Sequence, residues 1–186
     1  DIALIYSRKI ERETRRIELE KENFEIRKQL EELSITDTLT NLFNRRYFGK
    51  VCSDVFEQVK RDSINATLCY IDIDNFKQVN DTMGHDKGDE ALREVANFLK
   101  DKFRKNDDIF RFGGDEFIVL LYNIENKDVI KISNKIEDLF INSNIANNYN
   151  IGISIGVNQY LGEKMEDFFK ETEKKKYLKK RFKKKI

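Results

Sequence analysis

The chain has 186 residues, with 35 Lys and Arg against 34 Asp and Glu, one His, two Cys and no Pro. That length suits one domain of about 150 residues plus an extension, and is enough to bury a core. Cys52 and Cys69 fall in apolar patterns without metal-ligand spacing, so they read as buried thiols in a reducing cytoplasm rather than a disulfide or a cysteine metal site. The chain shows no signal peptide and no apolar run long enough to span a membrane. Charge is unevenly spread. Nine of the thirteen residues from Lys174 to Ile186 are basic, and the remainder carries 26 basic against 34 acidic side chains, a net charge of −8.

Asp1 to Leu33 reads as a long, highly charged helix. Ile10, Ile17 and Phe24 repeat every seven residues on one face, and Leu19, Ile26 and Leu33 on another, which is poor for a single coiled-coil seam. The plain reading is a solvated helix; the preferred expectation is a linker helix that pairs with its twin in a homodimer. The opening DIALIYSRKI looks like the cut end of an upstream sensor domain or membrane segment. The expected division is 1–35 for this helix and 36–186 for the domain. Ser34 to Arg46 breaks the pattern, and Thr40 or Asn41 is expected to cap the next helix. That helix, reaching about Lys60, puts Phe48, Val51, Cys52, Val55 and Val59 on one core stripe.

Thr67 to Asp72 is a β-rich apolar run ending in an acid, with Asp74 two residues on. A carboxylate at the carboxyl end of a central strand lies where α/β sheets bind ligands. The stretch Asn75 to Asp89 reads as a long polar loop. In it, Gly84 and Gly88 would let backbone approach a ligand, and Lys77 could meet phosphate as a point charge. Asn80 and Asp89 carry the amide and carboxylate that a guanine edge requires. His85 is either structural or a substrate contact, and Asp89 is also a natural N-cap for the helix from Glu90 to Phe103. Leu92, Val95, Ala96, Leu99 and Phe103 form the apolar face of that helix. Arg104 to Asp107 then reads as a charged helix end.

Ile109–Phe112 and Phe117–Leu121 are apolar runs joined through Gly113-Gly114, a β-hairpin whose turn would use positive φ at glycine. Asp115 and Glu116 sit at its tip. A solvated turn would explain them, but if the Asp72 strand lies beside the hairpin, three acids converge and repel unless a cation neutralises them. Hard oxygen donors of this kind point to Mg²⁺ or Mn²⁺. Further on, Val129, Ile132, Ile136, Leu139 and Phe140 define a helix. Asn150 to Val157 alternates, with Gly152, Ser154 and Gly156 making a small-residue face suited to close helix packing. A last helix starts near Glu163 with Met165, Phe168, Phe169 and Thr172 inward, followed by a basic tail.

Taken together, the signature GGDEF (Gly113–Phe117), the upstream strand YIDIDNFKQVND (Tyr70–Asp81) and MGHDKGDE (Met83–Glu90) resemble the GGDEF-type diguanylate cyclase domain. Asp37, Leu39, Thr40, Leu42, Asn44, Arg45 and Arg46 resemble that family's opening motif, a hinge-like junction. The resemblance implies an α/β (α+β) palm-like fold of the class III nucleotide cyclases, with a central, mainly antiparallel sheet flanked by helices. It implies condensation of two GTP into cyclic di-GMP and two pyrophosphates across a dimer of half-sites. Two Mg²⁺ or Mn²⁺ per site would be held by Asp72, the Ile73 carbonyl, Asp115 and Glu116, with Asp115 also taking or orienting the proton of the attacking hydroxyl. It implies guanine contacts at Asn80 and Asp89, and a product-inhibition site at Arg104 and Asp107. In the tail, Tyr177 matches and Lys180 falls on the family's phosphate-binding lysine, while Lys184 replaces an arginine and Lys183 a glycine. Lysine keeps the charge but loses the bidentate fork; the tail could otherwise be a solvated or disordered basic run. A catalytically weak or inactive GTP- or cyclic di-GMP-binding module is the alternative. An adenine-using cyclase is disfavoured by Asp89, whose carboxylate pairs poorly with the adenine N1 acceptor. No specific nucleic-acid partner is expected.

Overall fold

The computed structural model describes residues 2–33, 35–62 and 64–183. The chain forms two compact units, 1–35 and 36–186. The first is helix α1 (Ile2–Leu33), along which Ile10, Ile17, Leu19, Phe24 and Ile26 are all exposed.

The second unit carries β1 (Phe43–Asn44), α2 (Arg45–Asp62), β2 (Ala66–Asp74), α3 (Phe76–Met83), α4 (His85–Lys102), β3 (Asp108–Arg111) and β4 (Glu116–Tyr122). It continues with α5 (Asn126–Ile141), α6 (Asn144–Tyr149), β5 (Gly152–Gln159) and α7 (Met165–Lys183). The strands form one sheet in the order β1-β3-β4-β2-β5. Among the described residues only the β1–β3 pair is parallel. The mainly antiparallel sheet expected from the sequence is therefore present. β2 lies between two partners, which explains why eight of its nine residues are buried. Alternation along the strands feeds two cores. Cys69, Ile71 and Ile73 join Leu92, Val95, Phe140, Ile153 and Ile155 on one side. Leu68, Tyr70, Phe110 and Ile118 join Phe48, Cys52, Phe56 and Phe168 on the other. Both cysteines are buried and unbonded, and burial pushes the Cys69 thiol up to about 12.

Several local expectations are corrected. The polar stretch after Asp72 is not a loop but helix α3, a joint at Gly84 with φ +86°, and the start of α4. α4 therefore begins at His85, and Asp89 lies inside it rather than capping it. The α2 cap is neither Thr40 nor Asn41 but Asn44, whose Oδ1 accepts from the Tyr47 N–H at 2.9 Å. The hairpin tip needs no left-handed glycine: Gly113 and Gly114 are absent from the positive-φ residues. An added Cβ at Gly113 would stand 3.0 Å from Glu116 Oε2, close against the end of that side chain. Met165 is exposed, not inward. The basic tail is largely the second half of α7.

Candidate active site

The β2–β4 register sets the site. Asp72 stands directly opposite Glu116, and the Ile73 N–H donates to the Asp115 carbonyl at 3.1 Å. The carboxyl end of a central strand thus meets the tip of the hairpin, with Asp72 paired to Glu116 and Ile73 bonded to Asp115. Gln78, Asn75, Phe76, Lys77, Asp115 and Lys180 line a cleft of about 470 Å³ at this edge. The hairpin tip is anchored from behind. Arg111 donates to Asp37 Oδ1 at 3.1 Å and Oδ2 at 3.2 Å, and to the Gly114 carbonyl at 2.9 Å.

On the other flank, β5 offers Ser154, which donates to both Asp74 oxygens at 3.0 and 2.9 Å. Gly156 lets α7 lie against the strand, since any Cβ there would collide with the Thr172 carbonyl and the Lys176 backbone nitrogen. Four lysines of α7 then reach acids of the domain in two rows set by the helical period. Lys176 and Lys180 reach the acids: Lys176 Nζ lies 2.7 Å from Glu116 Oε1 and 3.6 Å from Asp72 Oδ1, while Lys180 pairs with Asp72 Oδ2. Lys179 and Lys183 reach Glu137 of α5 at 3.3 and 3.4 Å.

The electrostatics follow from this wiring. Burial first, and then the neighbouring Asp72 charge, raises the Asp115 carboxyl above the usual range. Burial likewise raises Asp74, despite Ser154 and nearby lysines. Asp72 and Glu116 are both paired to ammonium groups. The expectation of three acids left to share a cation is modified on two counts: these pairs, and the absence among the described residues of any three acidic, His or Cys side chains grouped as metal ligands. The donors remain of the right kind, since carboxylates and a backbone carbonyl are the hard oxygens that Mg²⁺ and Mn²⁺ take.

Residues 34–185 match the family described as "Diguanylate cyclase, GGDEF domain". The chain belongs to the GGDEF family. Among curated relatives, the diguanylate cyclase DosC of Escherichia coli is 33% identical over 123 residues, covering 65% of this chain and 27% of that protein. The response regulator PleD of Caulobacter vibrioides is 37% identical over 137 residues, covering 71% of this chain and 30% of that protein. The chain thus spans under a third of the length of these relatives. Among solved structures, the coiled coil and GGDEF domain of DgcB from Caulobacter crescentus, in complex with c-di-GMP, matches with a TM-score of 0.72 at 25% identity. That match covers 91% of this chain and 94% of the other.

The remaining sequence candidates of this GGDEF domain lie elsewhere. Asn80 lies on α3 between the cleft-lining Gln78 and Asp81, with its side chain packed against Gly88 of α4, and Asp89 follows Gly88 on that helix. The bare Cα of Gly88 is filled by the Asn80 side chain rather than left open to a ligand, because an added Cβ would collide with Asn80 Oδ1. His85 is exposed at the first turn of α4. Arg104 is exposed and Asp107 half-buried, in a turn after α4 closed by Arg104 N–H donating to Asp107 Oδ2 at 2.9 Å. Burial raises the Asp107 carboxyl. Arg104 lines a cavity of about 420 Å³ with Lys131, Lys135 and Asp128. Lys184 lies outside the described residues. Sequence reasoning missed the inward Lys176 and the Asp74–Ser154 pair; the spacing of Lys176 and Lys180 on one helix face was the available signal. No helix among the described residues is long and apolar enough to cross a membrane.

Proposed function

We propose that this GGDEF domain is a diguanylate cyclase that condenses two GTP into cyclic di-GMP with release of two pyrophosphates. The observation that carries the reading is the β2–β4 register, which faces Asp72 to Glu116 with Asp115 at the rim of a cleft that also holds Lys77 and Lys180. Phosphoryl transfer requires little more of a protein than positioning and charge stabilisation, and this edge supplies both kinds of group. Cyclases of this family depend on a metal. Mg²⁺ or Mn²⁺, at up to two ions per site, would be held by Asp72, the Ile73 carbonyl, Asp115 and Glu116. When bound, such ions lower the pKa of the attacking 3′-hydroxyl and offset charge on the leaving pyrophosphate. Asp115, its carboxyl raised by burial, accepts or orients the hydroxyl proton. Lys77, Lys180 and Lys184 meet the triphosphate, and Asn80, Asp89 and His85 contact the base from the α3–α4 crossing.

Each domain holds one GTP, so two must meet face to face as a homodimer in the cytoplasm, which the linker helix would favour. An upstream sensor domain or membrane segment would supply the signal. Cyclic di-GMP would bind Arg104 and Asp107 as an inhibitor. A second reading, a GTP- or cyclic di-GMP-binding module of weak or no activity, is favoured by the ammonium groups on Asp72 and Glu116. Incubation with GTP and Mg²⁺ followed by chromatographic product identification separates the two. Cyclic di-GMP, formed at a rate rising faster than linearly with protein concentration, is expected; intact GTP would leave the binding module.

A further inference from the structure

The side chain of Lys176 is 7% exposed, yet it carries an ammonium group. Its Nζ is 2.7 Å from Glu116 Oε1, 3.6 Å from Asp72 Oδ1 and 4.2 Å from the centre of the Tyr70 ring. A buried ammonium persists only where such partners replace water, and here two carboxylates and the face of an aromatic ring do so. The backbone around it is fixed. Gly156 brings β5 against the Thr172 carbonyl and the Lys176 nitrogen, and Phe168 and Thr172, both on the same face of α7, are buried. The helix cannot slide outward without opening that packing. Lys180 differs: its side chain is 24% exposed and lines the cleft, so it can turn from Asp72 toward an incoming anion.

We infer that Lys176 is a tethered cation standing in the place of one divalent ion between Asp72 and Glu116, so that this site takes up one divalent ion fewer than its carboxylates could hold. The inference rests on reading Asp72, Asp115 and Glu116 as cation ligands. The ammonium satisfies one Glu116 oxygen and leans on one Asp72 oxygen, the donors a second ion would require. Asp115 and the Ile73 carbonyl, which the ammonium does not touch, are left for the ion that does bind. The lysine thereby supplies, permanently and as a single charge, part of what an exchangeable double charge would supply.

The test counts bound Mn²⁺ per chain by electron paramagnetic resonance, on the full chain with a non-hydrolysable GTP analogue. Lys176→Met and Lys176→Gln are expected to take up one more Mn²⁺ per chain than wild type, with unchanged circular dichroism. Wild-type counts in a folded Lys176→Met or Lys176→Gln protein would overturn the inference. In the wild-type background, Glu116→Gln is expected to leave the count unchanged, because Lys176 already occupies that carboxylate; a lower count would overturn the inference without needing either lysine variant to fold. Asp115→Asn separates the two levels. If it binds Mn²⁺ as wild type does, the ligand reading itself fails, whereas a loss there combined with no gain in the lysine variants sinks only the role of Lys176.

Discussion

Arg111 donates both to Asp37 and to the carbonyl that precedes Asp115, and the fold treats the two aspartates in opposite ways. Asp37 accepts hydrogen bonds from the Thr40 N–H at 2.9 Å, the Thr40 hydroxyl at 2.7 Å and Arg111 at 3.1 Å. Burial works against its charge, but those donors outweigh burial, and its carboxyl falls below the usual range. Asp115 is also partly buried, but Arg111 reaches only the carbonyl of the preceding Gly114, not the carboxylate. Burial and the Asp72 charge then prevail, and its carboxyl rises. One aspartate is committed to joining the opening motif to the hairpin. The other is held ionisable and poorly compensated at the rim of a cleft, the state expected of a group awaiting a cation or a substrate proton.

The contrast can be broken at either end. Asp37→Asn leaves the largely buried Arg111 without its carboxylate, a loss expected to cost about 2–3 kcal/mol in urea unfolding. The sign with pH follows from the lowered carboxyl. The Asp37 contribution is present above the ordinary value of 3.8 and is lost as pH falls through its lower folded value, so the gap between wild type and variant should narrow in acid. Asp115 behaves in reverse. Its raised carboxyl means that the fold is favoured by protonation below 3.8 and loses that advantage as pH rises through the folded value. Asp115→Asn should therefore match wild type in stability below that pH and exceed it at neutral pH, by a smaller margin than Asp37→Asn loses. The smallest effect on folding belongs to Arg104→Ala, an exposed change expected to stay within about 0.5 kcal/mol. Calorimetric titration with cyclic di-GMP should nevertheless show binding to wild type and none to Arg104→Ala; equal heats would remove the inhibitory-site assignment.

The comparison also marks what a single sequence carries. The hairpin, β2 and β5 were legible because their apolar runs and alternation match buried strands, and the acids that end β2 and begin β4 marked the edge where the two strands pair. The α3–α4 pair was hidden by Gly84 and Gly88, which read as loop residues although one is a joint and the other a packing site for Asn80. Helix α3 buries one side chain, Val79, too few for a periodic signal. Arg111 and Asp37 are 74 residues apart, and nothing local in either segment announces the other. The lysines of α7 look like a solvated run because charge runs usually are; their inward turn depends on acids supplied by β2, β4 and α5.

The most direct measurement takes wild type and Asp115→Asn from parallel preparations at pH 7 and records two quantities on each, cyclic di-GMP formed from GTP and Mg²⁺, and the urea midpoint. The expected result is a loss of at least about 100-fold in product, corresponding to roughly 3 kcal/mol of transition-state stabilisation, together with a higher midpoint. Product at the wild-type rate, or a loss of product accompanied by a lower midpoint, would contradict the assignment of Asp115 to the chemistry rather than to the fold.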